Sequence, residues 1–416
     1  MRIKDNMSKL FKAVFVLLPF LTASMAQGAG FALYEYSARG NAMGGAVMAN
    51  KAEPASIASN PALITQLEGT HMQAGITAVI VDGSTTIGGP AGNQKRDLET
   101  GAFYLPTFYF TQQLRDDVFL GLGLFPRYGL GGKYKDHKTW TSAMLQGEAY
   151  TVDLVTYSFN PNIAVKVTDD LSFAMGLDIM MLKFEEEKYF GGPAMKIKGD
   201  SITWGGNFGL HYAPSWAEQW AAALTYRTKT RHVATGDVTS SYGPVPTGGA
   251  QAALTLPDQL AFGLAFKPND KMVIEADIMG IFWSSYSQLK IDYDNLSQGY
   301  LNEYKNYKDV FRFSLGAEYS LNKNWDLRAG YVYDQSPINP DFMDTLVPAD
   351  DRNIFSVGVG YNHDSGMGID VSYSYLLISD LTGKNKNGAY MKYEGASSHM
   401  IGLSVKYALG SKPLKK

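Results

Sequence analysis

The stretch 310–319 reads Val-Phe-Arg-Phe-Ser-Leu-Gly-Ala-Glu-Tyr, and it decides the fold. Apolar side chains occupy every second position from Phe311 onward, and the positions between them are small, polar or charged. Successive side chains of a β-strand point to opposite faces, so the alternation predicts a strand with one apolar and one polar face. A segment of about ten residues is long enough for a tilted strand to cross a membrane.

The same alternation recurs along the rest of the chain, in segments separated by turn residues. We count fourteen such segments: 71–81, 102–113, 117–126, 148–166, 171–186, 201–213, 218–232, 251–267, 271–286, 308–320, 325–334, 353–363, 366–378 and 397–409. An even number of antiparallel strands closes without a free edge, which satisfies every backbone group in lipid. The predicted fold is therefore all-β, a transmembrane antiparallel β-barrel of about 14 strands.

The connections between these segments alternate strictly between short and long. Short turns fall near Asp116, Asp169, Pro214, Asn269, Asn322 and Asp364. Long loops occupy 82–101, 127–147, 187–200, 233–250, 287–307, 335–352 and 379–396. Outer-membrane barrels have this asymmetry, with tight periplasmic turns and long external loops. The alternative is a large soluble β-protein with one buried face, which needs no such regularity.

The N-terminus and the composition place the protein outside the cytoplasm. Basic residues precede an apolar run, 13–23, and Ala26 and Gly28 supply the small residues of a cleavage site, so we predict a signal peptide over 1–28. The chain has no Cys, which suits an oxidising compartment. Its net charge of −3 offers no basic field for nucleic acid.

Residues 29–70 lack the alternation and are rich in small residues, with an Asn60-Pro61 turn signal. A fourteen-stranded barrel is wide, so we expect this segment, which we call the hatch, to fold inside the lumen as a plug. The barrel then spans 71–409, and a basic C-terminal tail follows at 410–416.

Catalytic and cofactor signals are poor. The six His residues are scattered without metal-ligand spacing. The stretch 129–134 has Gly and Lys but lacks the spacing and the Ser or Thr of a phosphate loop. We therefore expect no enzyme, no cofactor and no metal.

The hatch sequence carries a family resemblance. Ala29-Gly30-Phe31 with Glu35, followed by Ser59-Asn60-Pro61-Ala62-Leu63-Ile64, resembles the N-terminal hatch of the FadL/TodX outer-membrane transporters. Further stretches agree in family order, among them 256–258, 282–284, 324–337 and 347–352. The resemblance implies uptake of long-chain fatty acids and other hydrophobic compounds. It also implies that Asn60, Pro61 and Ala62 belong to the gating hatch.

The resemblance further implies lateral release of the ligand through a gap in the wall at a kinked third strand. In this chain Gly121 and Gly123 alternate along that strand, and Gly in a strand often marks a kink or a close approach. The alternative is that these glycines make room for the hatch to pack. Several external loop residues are candidates for a hydrophobic docking groove: Leu124, Phe125, Tyr128, Leu130, Trp140, Met144 and Leu145. The alternative is that these residues pack loop against loop.

A carboxylate ligand held in an apolar pocket needs a cation or several donors. The resemblance places Lys183 at one family position for a basic residue and brings Lys305 and Lys308 near another. Alternation puts Lys183 on the lipid phase unless a bulge shifts the register, and puts Arg312 on the inner phase, where pairing with acidic residues is the preferred role. Ile281 and Trp283 add apolar surface to the lumen.

The function that we predict is passive uptake of hydrophobic compounds, above all long-chain fatty acids, by hatch gating and lateral exit. The alternatives are an aromatic or alkane hydrocarbon channel of the same family, a general porin and a barrel hydrolase. The expected partners are the ligand, outer-membrane lipid and the barrel assembly machinery. We expect a monomer in the outer membrane.

Overall fold

The computed structural model describes residues 30–88, 92–135, 147–190, 193–241, 245, 247–294, 300–346 and 349–409. Within them the chain forms a closed antiparallel barrel with its N-terminal segment folded inside. The predicted signal peptide and the basic tail lie outside the described residues.

The described part of the chain contains twenty strands, and their bounds follow in chain order. They are β1 Thr70–Ile87, β2 Gln94–Asp97, β3 Gly101–Arg115, β4 Val118–Lys133, β5 Ala149–Lys166, β6 Leu171–Tyr189, β7 Pro193–Tyr212, β8 Trp220–Arg227, β9 Thr230–Ser240, β10 Gly248–Leu256, β11 Gln259–Asn269, β12 Met272–Ile281, β13 Gln288–Tyr293, β14 Tyr300–Tyr304, β15 Val310–Ser320, β16 Trp325–Asp334, β17 Arg352–Asn362, β18 Met367–Ile378, β19 Leu381–Lys384 and β20 Tyr390–Leu409.

Fourteen of these strands close the ring, each paired antiparallel with two neighbours. The order is β1-β3-β4-β5-β6-β7-β8-β11-β12-β15-β16-β17-β18-β20, and β20 returns to β1. The predicted barrel of fourteen strands is confirmed. The other six strands extend the outer rim: β9 and β10 continue β8 and β11, β13 and β14 form a hairpin beside β10, and β2 and β19 lie on β1 and β20.

Strand β15 shows how alternation becomes two environments. Phe311 and Leu315 are 49% and 51% exposed on the outer surface, where lipid replaces water. Arg312 and Glu318 are 7% and 4% exposed because they point into the lumen. The predicted alternation of faces is confirmed along this strand, and the exposed outer side chains make the apolar belt that a bilayer requires.

The hatch contains three short helices: α1 Ala38–Ala42, α2 Ser56–Ser59 and a 3₁₀-helix at Pro61–Gln66. Further 3₁₀-turns lie at Ser215–Ala217, Trp283–Ser285 and Pro340–Phe342. Among the described residues, no helix is long and apolar enough to cross a membrane.

The hatch is bonded to the barrel wall around its circumference. The Ala38 amide donates to Ser404 Oγ at 2.9 Å, and the Asn41 side chain donates to Thr77 Oγ1 at 3.0 Å. Arg39 Nε lies 2.9 Å from Glu318 Oε2, and both side chains are buried. A buried Arg–carboxylate pair holds two elements in a fixed geometry because separating it leaves a charge without a partner.

Strand β4 is irregular at Pro126–Gly129. Its pairing with β5 shifts by one residue there, which is the mark of a β-bulge. Its pairing with β3 stops at Leu124, opposite Phe108. A bulge bends a strand away from its neighbour, so β3 and β4 separate above this point.

Candidate functional site

The separation of β3 and β4 leaves a gap in the barrel wall, which we call the wall window. Below it the two strands pair up to Phe108 and Leu124. Above it Leu98 and Tyr134 form an isolated bridge, and the Glu99 amide donates to the carbonyl of Lys133 at 2.7 Å. The window is therefore bounded at both ends and lies beside the bulge.

The first residues of the hatch cover the β4 side of the wall window. The Leu33 amide donates to the Arg127 carbonyl at 2.8 Å, and the Gly129 amide donates to the Phe31 carbonyl at 2.9 Å. Ala32 forms an antiparallel bridge with Tyr128. The hatch thus supplies β4 with the hydrogen bonds that β3 does not make there.

The two glycines that we predicted at the lateral exit, Gly121 and Gly123, lie below the wall window. Gly121 and Gly123 belong to the regular part of β4 that pairs with β3. A Cβ atom at Gly121 would lie 3.0 Å from side-chain atoms of both Ile57 and Ile64, and one at Gly123 would lie 3.0 Å from Ile57. The geometry therefore corrects their placement at the opening: these glycines make room for the hatch.

The predicted hatch residues are buried where α2 meets the 3₁₀-helix. Asn60 Oδ1 accepts from the Ala62 amide at 3.1 Å and so caps the helix, and Pro61 occupies its first turn. Asn60 Nδ2 donates to the carbonyls of Met48 at 2.9 Å and Leu210 at 3.1 Å. One side chain therefore joins two parts of the hatch to strand β7.

An apolar cavity lies below the external loops, and we call it the inner cavity. Its walls include Phe31, Leu130, Leu154, Phe184, Leu254, Tyr286, Leu289 and Tyr307. Among the described residues that line it, the charged side chains are Lys305 and Asp344. A mostly apolar pocket with a few convergent polar groups is the usual form of a small-molecule site.

Lys305 is the sequence-predicted cation that reaches this cavity. Its Nζ lies 2.6 Å from Asp344 Oδ2 and 3.3 Å from Glu303 Oε2, and its side chain is 3% exposed. Burial alone would lower the pKa of Lys305, but Asp344 and Glu303 together raise it well above its ordinary value. The ammonium therefore stays charged.

The other basic candidates lie elsewhere. Lys183 is on the outer phase of β6, because the register with β7 runs without a shift through Lys183 and Asp200; the bulge that would turn it inward is missing there. Lys308 is exposed and its backbone amide bonds Pro337. Neither of these two lysines lines the inner cavity.

Arg312 is buried in the lumen, where its guanidinium lies 2.9 Å from Asp334 Oδ2 and over the ring of Tyr34 at 4.3 Å. Arg312 therefore joins the barrel wall to the hatch. Its pairing with an acidic residue is the role that we preferred from the sequence.

The hydrophobic groove predicted for the external loops needs correction, because β4 continues to Lys133 and carries four of its members. Leu124 faces outward, and Phe125 packs beneath the hatch against Tyr36 and Tyr109. Tyr128 lies in the lumen, and Leu130 lines the inner cavity. Trp140, Met144 and Leu145 lie outside the described residues.

The two lumen residues chosen from the sequence are fully buried at the upper end of β12. Ile281 and Trp283 each have no exposed surface. The Trp283 ring lies 4.8 Å from that of Phe31 and 5.7 Å from that of Tyr307. Tyr286 and Tyr128 also contact the Phe31 ring and complete a cluster of five rings that includes Phe31 itself. The hatch segment that covers the wall window is thus anchored by aromatic packing.

Sequence reasoning missed a buried charge network beside the bulge. Arg127 Nη1 lies 2.8 Å from Asp178 Oδ2, which Arg227 also approaches at 3.4 Å. Arg227 donates in turn to the hatch carbonyls of Ile57 and Ala58, both at 2.9 Å. Pro126, inside an otherwise regular strand, was the available signal for the bulge that begins beside Arg127.

Comparison with known proteins agrees with this architecture. The family model "Outer membrane protein transport protein (OMPP1/FadL/TodX)" matches residues 20–409. The long-chain fatty acid transport protein of Escherichia coli O6:H1 is 26% identical over 415 residues, covering 88% of this chain and 90% of that protein. Outer membrane protein P1 of Haemophilus influenzae Rd is 26% identical over 423 residues, covering 89% and 90%.

Solved structures share the fold. A Pseudomonas aeruginosa FadL homologue superimposes with a TM-score of 0.79 at 18% identity, covering 91% of this chain and 100% of that one. The Ralstonia pickettii toluene transporter TbuX gives 0.69 at 20% identity, covering 91% and 99%. The chain belongs to the OMPP1/FadL/TodX family and is an outer-membrane transport protein, not an enzyme.

Proposed function

We propose that this protein imports hydrophobic compounds, and specifically long-chain fatty acids, by passive diffusion across the outer membrane. The ligand passes from the external loops into the inner cavity, displaces the hatch segment around Phe31 and leaves sideways through the wall window. Lateral release spares an apolar chain the aqueous periplasm. The fatty acid transport proteins among its relatives support this substrate class.

The observation that carries the proposal is the buried ammonium of Lys305 at the edge of the inner cavity. The cavity walls of Leu, Phe and Tyr accept an alkyl chain, because burial of each CH₂ contributes about 0.8 kcal/mol. A carboxylate in such surroundings needs a charged donor. Lys305 supplies this donor and already binds carboxylates of the protein itself.

The exit route is supported by the contact between Phe31 and the bulged strand. Phe31 lines the inner cavity and also accepts the hydrogen bond from Gly129 at the wall window. Moving this one segment therefore opens the cavity floor and uncovers the free edge of β4 together.

A substitution at Lys305 tests the substrate class. Replacing both members of its ion pair, as Lys305→Met with Asp344→Asn, avoids leaving a buried charge unpaired. We expect palmitate uptake by whole cells to fall at least tenfold, while uptake of the uncharged chain hexadecane stays within twofold. Lys308→Met, at an exposed lysine close by, is the control. Equal palmitate uptake by the double variant and the wild type would reject the role of Lys305.

The exit route needs a separate test at the lower edge of the wall window. Thr107 of β3 is buried on the lumen side, whereas its neighbour Phe108 is 47% exposed to lipid. We expect Thr107→Trp to block palmitate uptake and Phe108→Trp to leave it unchanged. The folded barrel content of both variants is checked by heat-modifiable migration in gels. Unimpaired uptake by folded Thr107→Trp would exclude release at this site.

A second candidate function is import of monoaromatic hydrocarbons. The five-ring cluster of Phe31, Tyr128, Trp283, Tyr286 and Tyr307 favours it, because aromatic ligands pack edge to face against such rings. TbuX, which shares the fold, is a toluene transporter. Toluene uptake that exceeds palmitate uptake in the wild type and survives loss of Lys305 would favour this function.

A further inference from the structure

A second cavity lies among the external loops, and we call it the outer cavity. It differs in chemistry from the inner cavity, since Glu148, Glu186, Glu303 and Lys386 line it. Three residues belong to the walls of both cavities: Lys305, Asp344 and Leu346. These three residues therefore form a partition between a polar space and an apolar one.

The partition is held by a charge pair whose members are unequally buried. The Lys305 side chain is 3% exposed and the Asp344 side chain is 17% exposed. Glu303 approaches the same ammonium at 3.3 Å, so the lysine keeps one carboxylate when Asp344 turns away. The ion pair can thus open from the Asp344 side without stripping Lys305 of all its charge partners.

The backbone that carries Asp344 is fixed, so its side chain is the movable part. The Asp344 amide donates to the Tyr393 hydroxyl at 3.0 Å, and that hydroxyl donates back to the Asp344 carbonyl. The next residue, Thr345, donates through Oγ1 to the Ala149 carbonyl at 2.6 Å. Asp344 itself holds the partition by accepting from the Leu346 amide at 2.8 Å.

We propose that Asp344 occupies the ligand headgroup position on Lys305 as an internal carboxylate, and that an incoming fatty acid carboxylate replaces it to pass from the outer to the inner cavity. The inference rests on the proposed function, because it needs a carboxylate ligand. The exchange conserves charge, since one carboxylate leaves the ammonium as another arrives. Displaced Asp344 turns towards the outer cavity, and its bond to Leu346 is lost, which opens the partition.

The consequence is that Asp344 competes with acids and not with neutral chains. Asp344→Asn keeps the size of the side chain and an oxygen for the Leu346 amide but weakens the competitor. Full-length protein in lipid nanodiscs should bind palmitate at least fivefold more tightly after this change. Binding of 1-hexadecanol, which has the same chain and no charge, should stay within twofold. Both affinities are measured by isothermal titration.

Two further variants make the test decisive. Asp341→Asn removes a carboxylate of the same loop that pairs with Lys384 at the exposed surface, so it should bind both ligands like the wild type. Adding Lys305→Met to Asp344→Asn should abolish the gain for palmitate. If Asp344→Asn does not fold, Asp344→Ser takes its place.

The outcomes separate the two levels of the proposal. Unchanged or weaker palmitate binding by Asp344→Asn overturns the exchange at Lys305 and leaves the proposed function standing. A gain that persists without Lys305 overturns the exchange as well. Wild-type protein that binds 1-hexadecanol but not palmitate overturns the proposed function and the exchange together.

Discussion

The backbone amide of Gly129 donates a hydrogen bond to the carbonyl of Phe31 over 2.9 Å, which joins the bulged strand of the barrel to the start of the hatch. Phe31 is therefore both a wall element and a part of the plug. Its ring, 2% exposed, packs against the rings of Tyr128, Trp283 and Tyr286, which fix this dual position.

Phe31→Ala should uncover the wall window. Loss of a buried Phe ring costs on the order of 3–5 kcal/mol of packing energy, which exceeds what two backbone hydrogen bonds contribute. We expect faster permeation of the hydrophobic dye 1-N-phenylnaphthylamine into cells. Phe313→Ala, which removes a ring from the lipid face, should not change it. Slower permeation with a folded barrel would contradict the covering role of Phe31.

Asn60→Ala should loosen the hatch without preventing membrane insertion. The change removes a helix cap, worth about 1 kcal/mol, and leaves the carbonyls of Met48 and Leu210 without their donor. We expect reduced palmitate uptake and faster proteolysis of the hatch, with Pro61→Ala acting in the same direction. Ser59→Ala is the matched control because Ser59 makes one long bond of 3.5 Å. Wild-type uptake in both Asn60→Ala and Pro61→Ala would argue against gating by this segment.

Arg39→Gln should raise the conductance of the closed protein. Glu318 loses a buried partner, and the cost should lie near the low end of the range of about 3–5 kcal/mol because Arg328 still pairs with it at 2.6 Å. Planar-bilayer recordings should show brief openings that the wild type lacks. Lys51→Gln, whose partly exposed ammonium lies 3.9 Å from the same carboxylate, should remain silent. A silent Arg39→Gln channel would show that this pair does not retain the hatch.

Glu148→Gln should reduce the pH dependence of stability in the external loops. Burial raises the pKa of Glu148, whose oxygens accept from Thr345 and Asn385. A carboxyl with a raised folded-state pKa stabilises the fold below its unfolded pKa, and this contribution is lost as pH rises through the folded value. The wild type should therefore protect the Thr345 amide from hydrogen exchange better at pH 5 than at pH 8, after correction for the intrinsic rate. The glutamine variant should show a smaller difference, whereas Glu99→Gln at an exposed pair should match the wild type.

The barrel can be predicted from the sequence because each strand faces lipid on one side and the polar lumen on the other. Apolar and polar residues must therefore alternate along it. Lipid outside and a polar lumen inside select the residue at every second position, as Phe311 and Arg312 illustrate. The same rule puts Ile281 on the inner phase, where it is buried, and Lys183 on the outer phase when no bulge intervenes.

The features of the site that we could not predict depend on a change of strand register in β4. The one-residue shift at Pro126–Gly129 cannot be read from alternation, because a bulge breaks the period that defines the faces. The end of the β3–β4 pairing puts the opening above Gly121 and Gly123. The shift also turns Leu130, which alternation would place on the outer phase with Leu124, towards the inner cavity. Long-range pairs such as Lys305 with Asp344 join loops whose mutual approach has no local signal in the sequence.

The bulge in β4 also bears on how such proteins can change over time. One additional residue bends β4, and the wall window forms without the loss of any side chain. Deletion of one codon in this stretch would remove the shift of register between β4 and β5. A single short deletion or insertion here can therefore reshape this part of the wall while the remaining thirteen strands stay as they are.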